Sequence, residues 1–164
     1  MENFSGATPY LSFWLDGELY AFDIDNVVEV TELPKITKVP QCADYIKGVF
    51  NFRGEILPTI DVRTKCHLDE LAPGSISEDD IDDRAVIVLE INKDDPDLHL
   101  IAGAIVDKVS DVVNIKPIDI IRIHDFDSKI DASLSDGVYN HDGKIITILQ
   151  TAKILAMDDT IVNE

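Results

Sequence analysis

The chain has 164 residues, is 45% hydrophobic and carries a formal charge of −18. That suffices for one ordinary domain, or two small ones sharing a core, and it is not the profile of a disordered chain. So acidic a field repels phosphate backbones and anionic lipid surfaces, and no apolar run of about 18 residues exists to span a bilayer as a helix.

The start, MENFSGATPY, lacks the basic and apolar stretches of a signal peptide, and two cysteines, Cys42 and Cys66, make no disulfide framework. The expected setting is a reducing cytoplasm. Residues 1–68 hold 6 Lys/Arg against 10 Asp/Glu, and the remainder holds 8 against 22. Solubility is the plain account of the acidity. The sharper one is that the less acidic first half carries the surface for an acidic partner.

In chain order, Tyr10 to Leu15 and Glu18 to Phe22 flank Asp16-Gly17, a strong hairpin signal. A bend at Asp23 to Asn26 leads into Val27 to Glu32, whose alternating apolar and acidic residues predict a half-buried strand. Pro34 and Pro40 bracket an extended connection. Ile46 to Phe50 and Ile56 to Ile60 predict a second hairpin, with Asn51 to Gly54 as its turn and Arg53 at the tip. Val62 to His67 predicts a short helical piece. Residues 69–83, with Pro-Gly at the centre and 7 acidic residues, read as a linker. Ala85 to Ile91, Leu98 to Val106 and Val109 to Ile115 follow as strands. After an irregular region, Gly137 to His141 and Lys144 to Gln150 flank Asp142-Gly143, and a helix around Thr151 to Met157 ends the pattern. Many short strands without long helical periodicity predict small barrels or a sandwich.

The sequence repeats itself. GVFNFRGEI from Gly48 lies on GVYNHDGKI from Gly137 without a gap, and IDNVVEV from Ile24 lies on VDKVSDV from Val106. Order and spacing fit one duplicated unit of about five strands, too small to close a core alone; chance likeness between two β-rich halves is the alternative. In the second copy Thr147 replaces Pro58 and Asp142 replaces Arg53. Pro58 therefore predicts an edge or bulge, and the two hairpin tips carry opposite charges.

Catalytic patterns are missing. The histidines at 67, 99, 124 and 141 form no ligand pair, and neither cysteine stands in a nucleophile's context. Asp125 to Asp131 has a DxD start without the glycine and terminal glutamate of a calcium loop. No phosphate-binding glycine pattern occurs, and no GxSxG. No metal, no cofactor and no catalytic residue is expected.

Three stretches together, YLSFWLDGELYAFDIDNVVEV, VPQCADYIKGVFNFRGEILPTIDVR and IAGAIVDKVSDVVNI, resemble the CheW-type chemotaxis coupling proteins from about Tyr10 to Ala156. The resemblance implies an all-β fold of two intertwined, SH3-like five-stranded barrels sharing a core, with a few short helices. Residues 10–157 would form one domain: a first barrel mainly over 10–68, the linker, a second barrel mainly over 84–150, and a helix over 151–157, between tails 1–9 and 158–164. It further implies a non-enzymatic adaptor that bridges the helical tip of chemoreceptors and the regulatory domain of a CheA-type histidine kinase, in the cytoplasm at receptor arrays. The family's receptor contacts fall on Val27, Glu29 and Arg53, and its glycine in the inter-barrel strand on Gly103. Kinase contact falls near Ile46, Lys47 and Gly48. From the residues alone, Val27 reads equally as core, Glu29 as one solvated residue of an alternating strand, and Arg53 as a solubilising charge. Phe52 stands where the family usually has an aliphatic residue. Two other functions stay open: a kinase-binding module of another two-component pathway without receptor contact, and an enzyme of unrecognised type.

Overall fold

The computed structural model describes residues 6–68, 82–122, 130 and 132–157. Most of the acidic linker, most of the Asp125 to Asp131 loop, His124 and both chain ends lie outside the described residues. The described strands are β1 (Thr8–Leu15), β2 (Glu18–Asp23), β3 (Val27–Glu32), β4 (Ile46–Phe52), β5 (Glu55–Asp61), β6 (Ala85–Ile91), β7 (Leu100–Val106), β8 (Lys108–Ile115), β9 (Ser135–His141) and β10 (Lys144–Leu149). Two short helices, α1 (Val62–Lys65) and α2 (Thr151–Leu155), follow β5 and β10. Each expected strand forms, because turn residues bound each run of β-branched and aromatic side chains.

The strands make two five-stranded sheets, ordered β8-β1-β2-β10-β9 and β3-β6-β7-β5-β4. The strands interleave across the linker. Each sheet takes one hairpin from one half of the chain and three strands from the other. Written as two copies of a five-strand unit, the sheets have the same order with the leading hairpins exchanged. Two parallel pairings close the exchange: Leu19–Ala21 with Ile146–Ile148, and Thr59–Asp61 with Gly103–Ile105. Local patterning shows antiparallel hairpins but carries no trace of a parallel pairing between distant segments.

Burial follows from this architecture. A central layer between the sheets includes Phe13, Tyr20, Phe22, Ile60, Ile87, Leu89, Val106 and Leu155. Each sheet also curls around its own cluster, one holding Tyr10, Ala21, Ile146 and Ile148, the other Phe50, Phe52, Leu57, Val86 and Val88. β6, AVIVLEI, is covered on both faces, which accounts for its unbroken apolar run.

The repeated residues now have physical reasons. The backbone of Thr37 crosses the free edge of β4 and exchanges two 2.8 Å hydrogen bonds with Val49; Ile121 does the same to Val138 on β9. Gly48 and Gly137 permit those crossings. A Cβ on Gly48 would stand 2.1 Å from the Thr37 carbonyl oxygen, and one on Gly137 would stand 2.4 Å from that of Ile121. Asn51 and Asn140 accept the backbone N–H of Gly54 and Gly143 and hold the turns shut. With φ at +147° as well, Gly48→Ala should cost roughly 2–4 kcal/mol, against about 1 kcal/mol for Gly54→Ala, whose site is open. Urea unfolding of the two variants checks the contrast.

Pro58 is accommodated as its chemistry requires. β5 lies between β4 and β7, yet its ladder to β7 begins only at Thr59, one residue past the proline. On β10 the counterpart Thr147 joins the parallel ladder. The adjoining strand also carries the expected irregularity, a register shift between Ile46 and Gly48.

Burial pushes the Cys66 thiol up to about 12 and raises the Tyr20 phenol as well. Both stay neutral in the fold, whereas the unfolded chain ionises them near about 8.5–10. Their contribution is therefore complete below that range and is lost progressively above it, as pH rises toward the raised folded-state values. Each costs about 1.4 kcal/mol per pH unit once its unfolded form is ionised and its folded form is not. Urea midpoints should fall between pH 9 and 11, and Cys66→Ala should flatten the decline.

Candidate protein-interaction site

The outer strands of the second sheet are β3 and β4, and an ion pair joins the two sides. Arg53, at the tip of the β4–β5 hairpin, donates to the Glu29 carboxylate on β3. Its guanidinium also lies over the Phe52 ring, 5.1 Å from the centroid. The Phe52 ring is buried among Phe50 and Leu57 and supplies a platform for the cation. The Arg53 side chain is 70% exposed and Glu29 33%. A pair so open to water contributes little to stability.

The turn itself argues against a merely structural arginine. Arg53 and Gly54 have φ of +53° and +87°. The other Asx-Gly hairpin tips, Asp16-Gly17 and Asp142-Gly143, adopt the same left-handed pair. This geometry favours Asn or Asp first, because a short polar side chain tolerates left-handed backbone. Arginine is a poorer choice for the turn. In the first sheet, the counterparts of Glu29 and Arg53 are Asp111 and Asp142, two acids that cannot pair. The Ser12 hydroxyl instead donates to the Asp111 carbonyl at 2.7 Å and accepts its N–H at 3.0 Å.

Exposed apolar residues that the sequence reading did not mark flank the ion pair's residues along the chain. A register shift between Val27 and Glu29 puts Val28 in a bulge, which re-aims neighbouring side chains. Val28 and Val30 are 41% and 40% exposed, and Ile56, two residues past the turn, is 62% exposed. Ile56 was one signal in hand: it matches Ile145 in the repeat, also exposed, so the fold does not demand it as core. Val27 itself is half-buried against the central layer.

The remaining expected contacts fall elsewhere. Gly103 is buried in β7, where a Cβ would meet Phe50 and Val86 at 2.7 Å. It lies in one row with Val88 and Glu29 across the sheet, behind the surface that bears Glu29 and Arg53, and its place is to let Phe50 pack. Ile46 packs partly against the central layer, and Gly48 is buried under Thr37. Lys47, at the β4 irregularity, lines an open cleft of about 480 Å³.

A second ion pair was missed entirely. Arg63 of α1 donates through Nε and one terminal nitrogen to both carboxylate oxygens of Asp107, at 2.8 and 2.5 Å. Asp107 joins β7 to β8 and also accepts the N–H of Asp16 at 2.9 Å, from the β1–β2 turn of the other sheet. Asp61 caps α1 by accepting the Arg63 N–H at 3.0 Å. The hydrogen bond to Asp107 raises the Arg63 pKa further, against the opposing effect of burial. The run Asp61-Val62-Arg63 is thus a cap followed by a clasp between the two sheets.

Among the described residues, no three His, Cys, Asp or Glu side chains are grouped to hold a metal. No described helix is long and apolar enough to cross a membrane. The surface offers a guanidinium, a carboxylate and flanking branched side chains, the chemistry of protein recognition. Together, the exchanged double sheet and this open ion pair define a β-rich interaction module.

The CheW-like domain family matches residues 9–159. The chain belongs to this family of chemotaxis adaptor proteins, which are scaffolds and not enzymes. It is 29% identical over 149 residues to the chemotaxis protein CheW of Helicobacter pylori, covering 91% of this chain and 82% of that one. To the Thermotoga maritima CheW it is 32% identical over 148 residues, covering 88% and 85%. In three dimensions it is similar to the scaffolding protein TtCheW from Thermoanaerobacter tengcongensis, with a TM-score of 0.73, 30% identity, and 88% and 89% of the two chains covered.

Proposed function

We propose that this adaptor couples the helical cytoplasmic tip of a chemoreceptor to the regulatory domain of a CheA-type histidine kinase, in the cytoplasm at receptor arrays. The observation that carries the reading is the Arg53–Glu29 pair at the joined edges of the second sheet. It is absent from the duplicated counterpart, and it occupies a turn that other residues would fit better. A receptor helix would lay an apolar stripe along Val28, Val30 and Ile56, with Arg53 taking one of its carboxylates. Val27 and Gly103 support that surface from within. The kinase would meet the start of β4, with Ile46 and Lys47 presented and Gly48 fixing the strand's path. Co-purification from the native cell, with partners identified by mass spectrometry, tests the proposal. Recovery of a receptor and a kinase supports it; recovery of a kinase alone would point to a regulatory module without receptor contact.

A further inference from the structure

Arg53 is held from two sides. One terminal nitrogen of its guanidinium donates to Glu29, and the group lies over the Phe52 ring. Its Nε and the other terminal nitrogen have no partner among the described residues. The cation is thus supported on one face, while part of its donor edge stays open.

Packing fixes the ring beneath it. Phe52 is 8% exposed and belongs to the cluster of Phe50, Leu57, Val86 and Val88. It meets Phe50 at a ring separation of 6.3 Å and a tilt of 53°. Phe50 in turn fills the space that a Cβ on Gly103 would enter. A short column therefore runs from the backbone of β7 through two aromatic rings to the guanidinium. Arginine loses much rotamer freedom when it is fixed against a partner, and a rigid platform removes part of that loss beforehand.

The duplicated half separates packing from this support. Phe52 corresponds to His141 and Phe50 to Tyr139. Those two rings also tilt together, 6.1 Å apart. His141 is only half-buried, however, and Asp142 follows it where Arg53 follows Phe52. Both copies keep a ring at this position, and the fully apolar, buried one accompanies the cation.

We propose that Phe52 is a positioning residue for partner binding: from beneath Arg53, and without itself meeting the partner, its ring presents the guanidinium to a carboxylate of the incoming chain. This role rests on the reading that Arg53 contacts the receptor, and it supplies the reason that contact is strong. The ring face attracts the cation, Glu29 sets its direction, and the remaining donors are left for the partner.

Titration calorimetry of the full chain with a chemoreceptor cytoplasmic fragment tests it. Phe52→Leu keeps an apolar side chain in the cluster and removes the ring, so affinity should fall about threefold or more. In the Arg53→Asn background the same change should alter affinity by less than about 1.5-fold, because no cation is left to position. A trifluorinated phenylalanine in place of Phe52 keeps the shape of the ring and withdraws charge from its face. It should weaken binding about twofold or more with the urea midpoint unchanged. Proton NMR of the free protein should show the Arg53 δ-protons shifted upfield by the ring, and the shift should vanish in Phe52→Leu. Unchanged affinity in Phe52→Leu and in the fluorinated chain, beside a clear loss in Arg53→Asn, would overturn the proposal and leave the receptor reading standing. Equal losses in both backgrounds, or a loss in Phe52→Leu that fluorination does not share, would reduce Phe52 to a packing residue and overturn it too. So would tighter binding in Phe52→Leu, which would mean that the ring holds Arg53 away from the partner. Wild-type affinity in Arg53→Asn would overturn the receptor reading and this role together.

Discussion

Arg63→Ala should destabilise the fold by about 2–4 kcal/mol, among the largest effects expected of any single side chain in this protein. The side chain is only 12% exposed and Asp107 22%, so neither charge is well solvated once its partner is gone. The variant leaves Asp107 with the single N–H of Asp16 in a partly dry site. The clasp also joins the second sheet to the β1–β2 turn of the first, so its loss loosens the seam as well as one pair. Arg63→Lys keeps the charge but not the fork that meets both carboxylate oxygens, and should recover only part of the loss. Urea unfolding across Arg63→Ala, Asp107→Ala and the double variant measures the coupling. The double variant should lose clearly less than the two single losses combined, because removing both partners leaves no stranded charge. Additive losses would mean that the pair contributes nothing as a pair.

Arg53 should behave in the opposite way, with a large effect on binding and a small one on stability. Arg53→Glu should weaken binding of a receptor cytoplasmic fragment about thirtyfold or more, as loss of a binding hot spot does, while unfolding shifts by less than about 1 kcal/mol. Arg53→Asn separates the two roles further. Asparagine suits the left-handed first position of the turn, so the variant should be as stable as the wild type or slightly more so. It should nonetheless lose about tenfold or more in receptor affinity. Titration calorimetry with the receptor fragment, paired with urea unfolding, reads both quantities. Retained affinity in both variants would reduce Arg53 to a solubilising charge.

The fold's elements were legible in the sequence because turn chemistry is local. Asp16-Gly17 and Asp142-Gly143 declare their hairpins, and the strand runs between them are short and β-branched. Their assembly was less legible. The exchange of leading hairpins depends on the pairings of Leu19 with Ile146 and Thr59 with Gly103, contacts between distant segments that leave no periodic mark. The site divides in the same way. Arg53 stood out because its counterpart in the repeat is aspartate, and Glu29 lay on the strand that it reaches. Val28 and Val30 did not stand out, since a bulge decides which way β3 faces. The Arg63–Asp107 clasp was invisible because a charge pair 44 positions apart has no spacing rule. Gly48 and Gly103 drew attention as site residues, yet what each position demands is room: under Thr37 for one, beside Phe50 for the other.

The proposed coupling requires that one chain hold a receptor and a kinase at the same time. Sedimentation velocity on the chain mixed with a chemoreceptor cytoplasmic fragment and a CheA-type regulatory domain tests it most directly. A ternary species is expected, which Arg53→Glu reduces to the binary complex with the kinase domain. Mutually exclusive binding, or a kinase complex that never recruits the receptor fragment, would contradict it.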